Sequence, residues 1–489
     1  MSAFEKLMAY ERDTQALGQI SGRLGWDQET MMPEGAAPQR GEEMAALEAV
    51  LHARRSSPEV AEWLSQAEAP DESGAAQLRE IKRTYERTVK VPSDLAKQIA
   101  KVTSQAQGKW AAARAQEDVS AFVPVLKEVV ALKRQEAEAL AAGGDLYDAL
   151  LSDYEHETSA AEIGAIFDAM RPGLVELRSR VLDKPRPKAL QGEFDETAQM
   201  KLTRKLAKTF GYDMRHGRVD KAVHPFSSGS GLDVRITTRT SKADPFNCFY
   251  STIHEVGHAA YEQNISRDYL LTPLGRGVSM GVHESQSRIY ENQIGRGAAF
   301  TSWLFGEMRE VFGDFGIQDA DAFYKAVNTV HQGYIRTEAD ELQYNLQIML
   351  RFDLERALMS GDLEVEDLEA AWNERFKADF GYAVDKPSNG CLQDVHWSVG
   401  LFGYFPTYAL GNVYAGCLNQ KMRSDLPDLD QALAKGDTSG ATDWLRDNLQ
   451  QFGGLRSPRD TIQHASGLVP DHAPLMRYLE EKFTQIYDL

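Results

Sequence analysis

The sequence predicts a mostly α-helical protein, folded as a single large helical domain with one small β-strand element. Apolar residues recur every three or four positions along most of the chain, beginning with Phe4, Leu7 and Met8. One stretch, 233–239, instead alternates with the two-residue period of a strand. The 489 residues contain no repeat of fixed period, which argues against a solenoid.

Helical periodicity continues in seven further segments, namely 75–92, 118–142, 159–183, 196–210, 318–331, 333–359 and 364–377. Turn-rich stretches at 68–74, 142–145 and 183–193 separate some of them. None of these stretches is long enough to be a disordered linker. We therefore predict one domain over residues 1–489.

Composition and charge exclude several classes of protein. Lys and Arg number 54 against 73 Asp and Glu, giving a formal charge of -19, which opposes nucleic acid as a partner. Cys248, Cys391 and Cys417 are odd in number and show no CxxC spacing, so neither a disulfide framework nor a cysteine zinc cluster is indicated. Because we find neither a signal-peptide pattern nor a stretch of 18 apolar residues, we expect a cytoplasmic protein that does not bind membranes.

The strand candidate is followed directly by a helix with strong start signals. Val234, Ile236 and Thr238 alternate with polar residues, whereas the preceding 224–231 is turn-like and lacks the order of a phosphate loop. Asp244 can cap a helix whose first residue is Pro245. The small strand is therefore expected beside this helix.

This helix carries an HExxH motif, with His254, Glu255 and His258. Four residues advance a helix by ~6 Å and about one turn, so both imidazoles face the same ion, while Glu255 points about 100° away toward a water molecule. Glu262 lies too far along the axis to complete the site, and Asn264 stands where a metzincin would have its third histidine. The third ligand must come from another element.

Segment 279–295 offers two candidates for that ligand, His283 and Glu284. Two histidines and a glutamate with an open fourth position form a recurrent catalytic zinc site. The spacing favours Glu284 but leaves His283 open. The structural alternative for Glu284 is a surface pair with Arg288 at i+4.

At this point the residues resemble a known family. The motifs in chain order are WDQETMMP (26–33), HPF (224–226), DVRIT (233–237), HEVGH (254–258), HESQSR (283–288), IRTEADELQYN (335–345), GCLQDVHW (390–397) and GYFPTYALGN (403–412). They are similar to the serial motifs of the carboxypeptidase Taq family of metallocarboxypeptidases. The resemblance implies a deeply grooved helical homodimer that removes single residues from peptide carboxyl termini. It also implies that residues 1–200 form a groove wall and that 201–489 hold the metal site.

Carried over residue by residue, the resemblance implies that His254, His258 and Glu284 are the metal ligands and Glu255 the general base. It implies that Arg336 anchors the substrate carboxylate, since a guanidinium can bind a carboxylate through two hydrogen bonds. The structural alternative is an i+4 salt bridge from Arg336 to Asp340. Three other arginines stay open as anchors, namely Arg235, Arg276 and Arg288.

Further roles follow from the same motifs. Tyr408 is expected near the metal, where it could donate to an oxyanion, although a core aromatic is the alternative. His224 and His396 are expected to contact substrate, although such histidines are more often structural. Asp233 could orient a ligand imidazole.

The predicted reaction is hydrolysis by metal-activated water, with Glu255 moving the proton. One divalent ion per chain is expected, Zn2+ first, with Co2+ or Mn2+ also suited to these ligands. The expected substrates are peptides with a free carboxyl terminus. The competing hypotheses are a metallo-endo-oligopeptidase with the same site and, from another class, a non-catalytic helical scaffold.

Overall fold

The protein is predominantly α-helical, and the computed structural model describes all of residues 1–489. Its helices are α1 (Ala3–Thr30), α2 (Ala37–Arg55), α3 (Pro58–Gln66), α4 (Glu72–Lys90), α5 (Ser93–Gln116), α6 (Val119–Ala141), α7 (Leu146–Leu151), α8 (Ala160–Leu182), α9 (Glu196–Thr209), α10 (Pro245–Asn264), α11 (Met280–Arg288), α12 (Ala298–Phe312), α13 (Ala320–Val327), α14 (Glu341–Ser360), α15 (Leu368–Phe380), α16 (Pro406–Asp425), α17 (Leu429–Leu433), α18 (Ser439–Asn448), α19 (Pro458–Ser466) and α20 (Ala473–Tyr487). None of them is both long and apolar enough to cross a membrane. The predicted mostly helical fold is confirmed.

The helices predicted from periodicity are found, but one of them begins later than expected. Segment 333–359 was predicted to be helical throughout, whereas α14 starts at Glu341 and residues 336–338 form a single 3₁₀ turn. The reason is Asp340, whose carboxylate accepts hydrogen bonds from the backbone N–H groups of Leu342 and Gln343 at 3.1 and 2.9 Å. This N-cap fixes the start of α14 and leaves Arg336 outside the helix.

The sheet has three strands, β1 (Val219–Lys221), β2 (Ser227–Ser230) and β3 (Asp233–Thr238). The central strand is β3, which pairs parallel with β1 and antiparallel with β2. The predicted strand is therefore confirmed, but β2 lies in a segment that the sequence predicted to be a turn. Its Ser-Ser-Gly-Ser sequence shows no apolar alternation, and it joins the sheet through backbone pairing with β3.

The chain forms two compact units, each assembled from three segments of sequence. The first unit comprises 1–88, 187–328 and 414–470, and the second comprises 89–186, 329–413 and 471–489.

In the first unit, α10 packs against β3, α9 and α11. Its apolar face is fully buried, with Phe249, Ile253 and Val256 at 0% exposure. As predicted, α10 begins at Pro245, and the Asp244 carboxylate accepts from the N–H of Phe246 at 2.9 Å. The HExxH motif therefore sits on a helix held rigidly on three sides.

In the second unit, α14 packs against α7, α8 and α15. The buried Glu355 of α14 accepts hydrogen bonds from Tyr147 Oη at 2.7 Å, Trp397 Nε1 at 2.9 Å and the backbone N–H of Gly403 at 3.1 Å. Glu355 therefore anchors the loop between α15 and α16, which carries the residues of the GCLQDVHW motif.

Candidate metal centre

The structure brings His254 and His258 of α10 together with Glu284 of α11. One ligand atom from each of the three residues lies within 4.8 Å of the others. Glu284 Oε2 is 3.3 Å from His258 Nε2 and 3.8 Å from His254 Nε2. Two imidazoles and a carboxylate that converge in this way form a donor set suited to a divalent metal ion.

Gly257, inside the HExxH motif, allows this convergence. A Cβ at Gly257 would lie 2.5 Å from the carbonyl oxygen of Gln286 and 2.6 Å from Cα of Ser287, both backbone atoms of α11. The two helices therefore approach backbone to backbone at this point. This contact places Glu284 beside the histidines of α10.

Glu284 makes both of the interactions that the sequence offered as alternatives. Its Oε1 accepts from Arg288 Nε at 2.7 Å, while Oε2 faces the two imidazoles. Burial disfavours the charged form, but Arg288 and the histidines outweigh it and hold the pKa of this carboxyl well below its usual range. Glu284 is therefore an ionised oxygen donor.

His254 is oriented by Glu291, which sequence reasoning missed. His254 Nδ1 lies 2.9 Å from Glu291 Oε2, and Arg296 donates to Glu291 Oε1 at 3.0 Å. Glu291 lies two helical turns beyond Glu284, in a π-helical segment, Ile289–Gly295, and this spacing was the available signal. Asp233, which was expected to orient an imidazole, instead binds two arginines, Arg23 and Arg235.

His258 is oriented through a second histidine. His258 Nδ1 lies 2.7 Å from His283 Nδ1, and His283 Nε2 lies 2.9 Å from Glu262 Oε1. Because both ring nitrogens of His283 face protein groups, the geometry favours Glu284 as the third donor. Burial lowers the pKa of His258 to about 4, so its imidazole is neutral near pH 7, the form that binds metals.

Glu255 lies next to His254 in sequence and is 7% exposed. Burial raises the pKa of its carboxyl to about 7. A carboxyl group with a pKa near neutrality can both take and return a proton under physiological conditions. This is the property required of the predicted general base.

Arg336 belongs to the second unit, where it pairs with Asp394 and not with Asp340. Arg336 Nε donates to Asp394 Oδ1 at 3.0 Å, and its NH1 lies 3.5 Å from the hydroxyl of Tyr344. Asp394 Oδ2 also accepts from Arg351 Nε at 2.7 Å. The predicted alternative, a pair with Asp340, does not form because Asp340 caps α14.

Tyr408 and His396 lie in the same cluster as Arg336. The guanidinium carbon of Arg336 is 5.1 Å from the centre of the Tyr408 ring. His396 packs on Phe405, with ring centres 4.5 Å apart, and its buried Nδ1 has no hydrogen-bond partner. Burial lowers the pKa of His396 to about 4.

The remaining predicted residues differ in their surroundings. His224 lies in the first unit, exposed in the loop before β2. Among the alternative anchors, Arg235 binds Asp233 and Arg288 binds Glu284, whereas Arg276 has no ion pair.

A predominantly helical protein that presents the histidines of an HExxH helix to a glutamate of a second helix has the architecture of a metallopeptidase. The chain matches the family described as Carboxypeptidase Taq (M32) metallopeptidase over residues 6–483. It belongs to this family and is a metallocarboxypeptidase. The resemblance seen in the sequence motifs is thereby confirmed.

Known proteins resemble the chain over its whole length. Thermostable carboxypeptidase 1 of Thermus thermophilus is 39% identical, with 99% of each chain covered. The crystal structure of an M32 carboxypeptidase from Deinococcus radiodurans R1 has a TM-score of 0.97 at 34% identity, covering 100% of both chains. Trypanosoma cruzi metallocarboxypeptidase 1 has a TM-score of 0.96 at 32% identity, covering 98% of this chain and 99% of the other.

Proposed function

We propose that the protein removes single residues from the carboxyl terminus of peptides, using one zinc ion held by His254, His258 and Glu284 and using Glu255 as general base. The observation that supports this most is the convergence of the three donor atoms within 4.8 Å. Glu255 follows the first of these donors directly in sequence and has a pKa of about 7.

The donor set fits a divalent ion of intermediate softness. Two imidazoles and one carboxylate suit zinc, and they also suit cobalt or manganese. A divalent ion bound there polarises the scissile carbonyl and lowers the pKa of a water molecule. The hydrogen bonds that the two imidazoles donate through Nδ1 to Glu291 and His283 hold them in place.

Glu255 moves the proton in this mechanism. Its carboxylate takes a proton from the attacking water as the new carbon–oxygen bond forms at the scissile carbonyl. It then delivers this proton to the leaving amine as the carbon–nitrogen bond breaks. No covalent bond to the protein forms at any stage.

Arg336 provides the selectivity for the carboxyl terminus. Arg336 is 6% exposed, so a substrate carboxylate would contact its guanidinium in a largely desolvated setting. Asp394 holds the Nε side, which leaves the NH1 side near Tyr344 for the substrate. Within the same proposal, Tyr408 donates to the oxyanion and His396 contacts substrate, while the role of His224 stays a prediction.

A pair of matched peptides tests the proposed function. The metal-loaded protein is incubated with an amino-blocked dipeptide and with its carboxyl-amidated twin, and release of the last residue is measured. We expect release from the free acid and little from the amide. Equal cleavage of both, at internal bonds of longer peptides, would instead identify a metallo-endo-oligopeptidase.

The proposal includes a homodimer, which rests on the motif resemblance. Light scattering of the purified protein should then give twice the chain mass of 54.5 kDa. A fully active monomer at micromolar concentration would contradict it.

A further inference from the structure

A cavity of about 290 Å³ lies within the first unit, apart from the three candidate metal ligands. It is bounded by α1, α2, α3, α4 and the segment before Gly277. Its lining is mainly polar and carries charges of both signs, including Glu11, Arg55, Glu80 and Arg276. A volume at the lower end of the range for small-molecule sites suits a ligand of only a few heavy atoms.

Arg276 is the cation of this cavity that has no partner. It is exposed, and it forms neither a hydrogen bond nor an ion pair through its side chain. The backbone that carries it is fixed, because Gly275 donates to the carbonyl of Thr272 at 3.0 Å and Gly277 donates to Glu262 at 2.9 Å. An unpaired guanidinium on a fixed backbone is available to an external anion.

Glu11 is the anionic residue of the cavity that complements the charge of Arg276. It is 7% exposed, and its one hydrogen bond is a long one, 3.4 Å from the amide of Gln15. No ion pair joins it to Arg276, although both residues line the cavity. Arg54, Arg55 and Arg276 act on Glu11 at a distance, but none forms an ion pair with it, so this nearly buried carboxylate would gain from a cationic partner in direct contact.

The other charges of the lining are already matched. Arg55 pairs with Glu48 at 3.3 Å, and Glu80 pairs with Arg79 at 3.1 Å and with Arg83 at 2.8 Å. Glu11 and Arg276 are therefore the one carboxylate and the one guanidinium of the cavity that lack an ion pair. A ligand that satisfies both carries a cationic group and an anionic group, and an ammonium with a carboxylate is the smallest common pair of this kind.

We propose that this cavity binds a free α-amino acid as a zwitterion, with its carboxylate on Arg276 and its ammonium on Glu11. A free amino acid is a product of every carboxypeptidase reaction, so this ligand accumulates where the enzyme works. A short peptide also carries an ammonium and a carboxylate at its ends, but these groups are farther apart. Comparing an amino acid with a dipeptide in the experiment therefore distinguishes the two kinds of ligand.

The cavity adjoins the candidate metal centre along the chain. Gly277 follows Arg276 and donates to Glu262, the carboxylate that faces His283. A Cβ at Gly277 would lie only 2.6 Å from Cδ2 of His283, so the backbone beside Arg276 packs on this ring. The backbone that carries Arg276 therefore packs on the residues that orient His258.

Calorimetry on the metal-loaded enzyme tests the proposal. L-glutamine is the probe, compared with N-acetyl-L-glutamine, L-glutamine amide and the dipeptide glycylglutamine, whose integrity is checked by chromatography. We expect glutamine to bind and each blocked derivative to bind at least ~10-fold more weakly, since each lacks one charge-assisted contact. Binding of the dipeptide more tightly than glutamine would overturn the assignment to a free amino acid.

Variants localise the binding. Arg276→Ala and Glu11→Gln should each weaken glutamine binding at least ~10-fold, while Arg276→Lys should weaken it less. The matched control is Arg267→Ala, since Arg267 is also exposed and unpaired on the same connecting segment but does not line the cavity. Its affinity for glutamine should be unchanged.

Two further results would overturn the proposal. One is the absence of glutamine binding to the wild-type enzyme. The other is binding that survives Arg276→Ala but is lost in Arg336→Ala, which would place the amino acid in the catalytic site as ordinary product. Because glutamine binding is measured without turnover, this test can fail while the proposed catalytic roles stand, and the reverse also holds.

Discussion

The Nδ1 atoms of His258 and His283 lie 2.7 Å apart, so one of the two rings must donate its proton to the other. If His258 offers the lone pair of Nε2 to a metal ion, its proton sits on Nδ1 and is donated to His283. The remaining proton of His283 is then on Nε2, where it is donated to Glu262. The carboxylate of Glu262 therefore sets the tautomer of His258 through an intervening ring.

This relay predicts that His283→Ala weakens metal binding by about 10–100-fold without removing a ligand. Glu262→Gln should cause a smaller loss, since an amide can still accept one hydrogen bond. The double variant should be little worse than His283→Ala alone, because both changes break the same chain of hydrogen bonds. Competition with a chelator measures each affinity, and additive losses would exclude the relay.

Glu284→Ala should weaken metal binding further than any of these variants, because it removes one of three protein donors. Elemental analysis of the purified protein, followed by chelator titration, measures the effect. Glu291→Gln serves as the matched comparison, since it changes a carboxylate that touches His254 but not the proposed ion. Full metal occupancy in Glu284→Ala would remove Glu284 from the site.

Glu255→Gln should keep its metal and its fold while turnover falls by ~10²–10⁴-fold, the usual cost of losing a general base. The measurement is kcat on the metal-replete variant, with circular dichroism as the control for folding. The amide has nearly the same shape as the carboxyl but cannot take a proton. Near-normal kcat would assign the proton transfer to another group.

Arg336→Ala and amidation of the substrate should each lower kcat/KM by at least ~10-fold, because each removes the same charge-assisted contact. Combining them should add little. Arg336→Lys should restore only part of the activity, since an ammonium cannot reproduce the two-pronged contact. The matched control is Arg235→Ala, which removes a guanidinium already bound to Asp233.

Asp394→Asn should destabilise the protein by ~3–5 kcal/mol at pH 7, because it leaves Arg351 buried without a countercharge. Burial opposes ionisation of Asp394, but Arg351 and Arg336 outweigh it and hold its pKa well below the ordinary 3.8. The stabilisation is therefore fully present above the unfolded-state pKa and is lost as the pH falls toward the folded-state pKa.

Urea unfolding of the wild-type protein and of Asp394→Asn at several pH values measures this effect. The difference in unfolding free energy should be constant from pH 7 to about 5 and should narrow below the ordinary aspartate pKa. Asp367→Asn is the control, since Asp367 is exposed and has no ion pair. A difference that stays constant down to pH 3 would show that the native state does not lower the pKa of Asp394.

Sequence reasoning succeeded where the signal is local. The cap at Asp244, the strand 233–238 and the spacing of His254 and His258 are all set by neighbours within a few residues. It missed that Glu291 contacts His254, 37 residues away in sequence, and that Asp394 contacts Arg336, 58 residues away. Only the packing of separate elements brings such pairs together, so helical spacing can place Glu291 on the same side as Glu284 but does not identify its partner.

The start of α14 is a case in which periodicity predicted too much helix. The apolar period runs through residues 333–340, but Asp340 satisfies the first N–H groups of the helix and ends the helical path there. A side-chain hydrogen bond thereby overrides a pattern that is correct on average.

Gly257 changes what the HExxH pattern means in this protein. The HExxH motif allows any residue at its fourth position. In this protein that position is restricted by the backbone of α11, which leaves no room for a methyl group. The glycine in HExGH therefore indicates that two helices approach closely, whereas the two histidines and the glutamate of the same motif indicate the chemistry. In a homologue with a larger residue at this position, the second helix must lie farther from the HExxH helix. The position of that helix should be examined before its glutamate is assigned as a metal ligand.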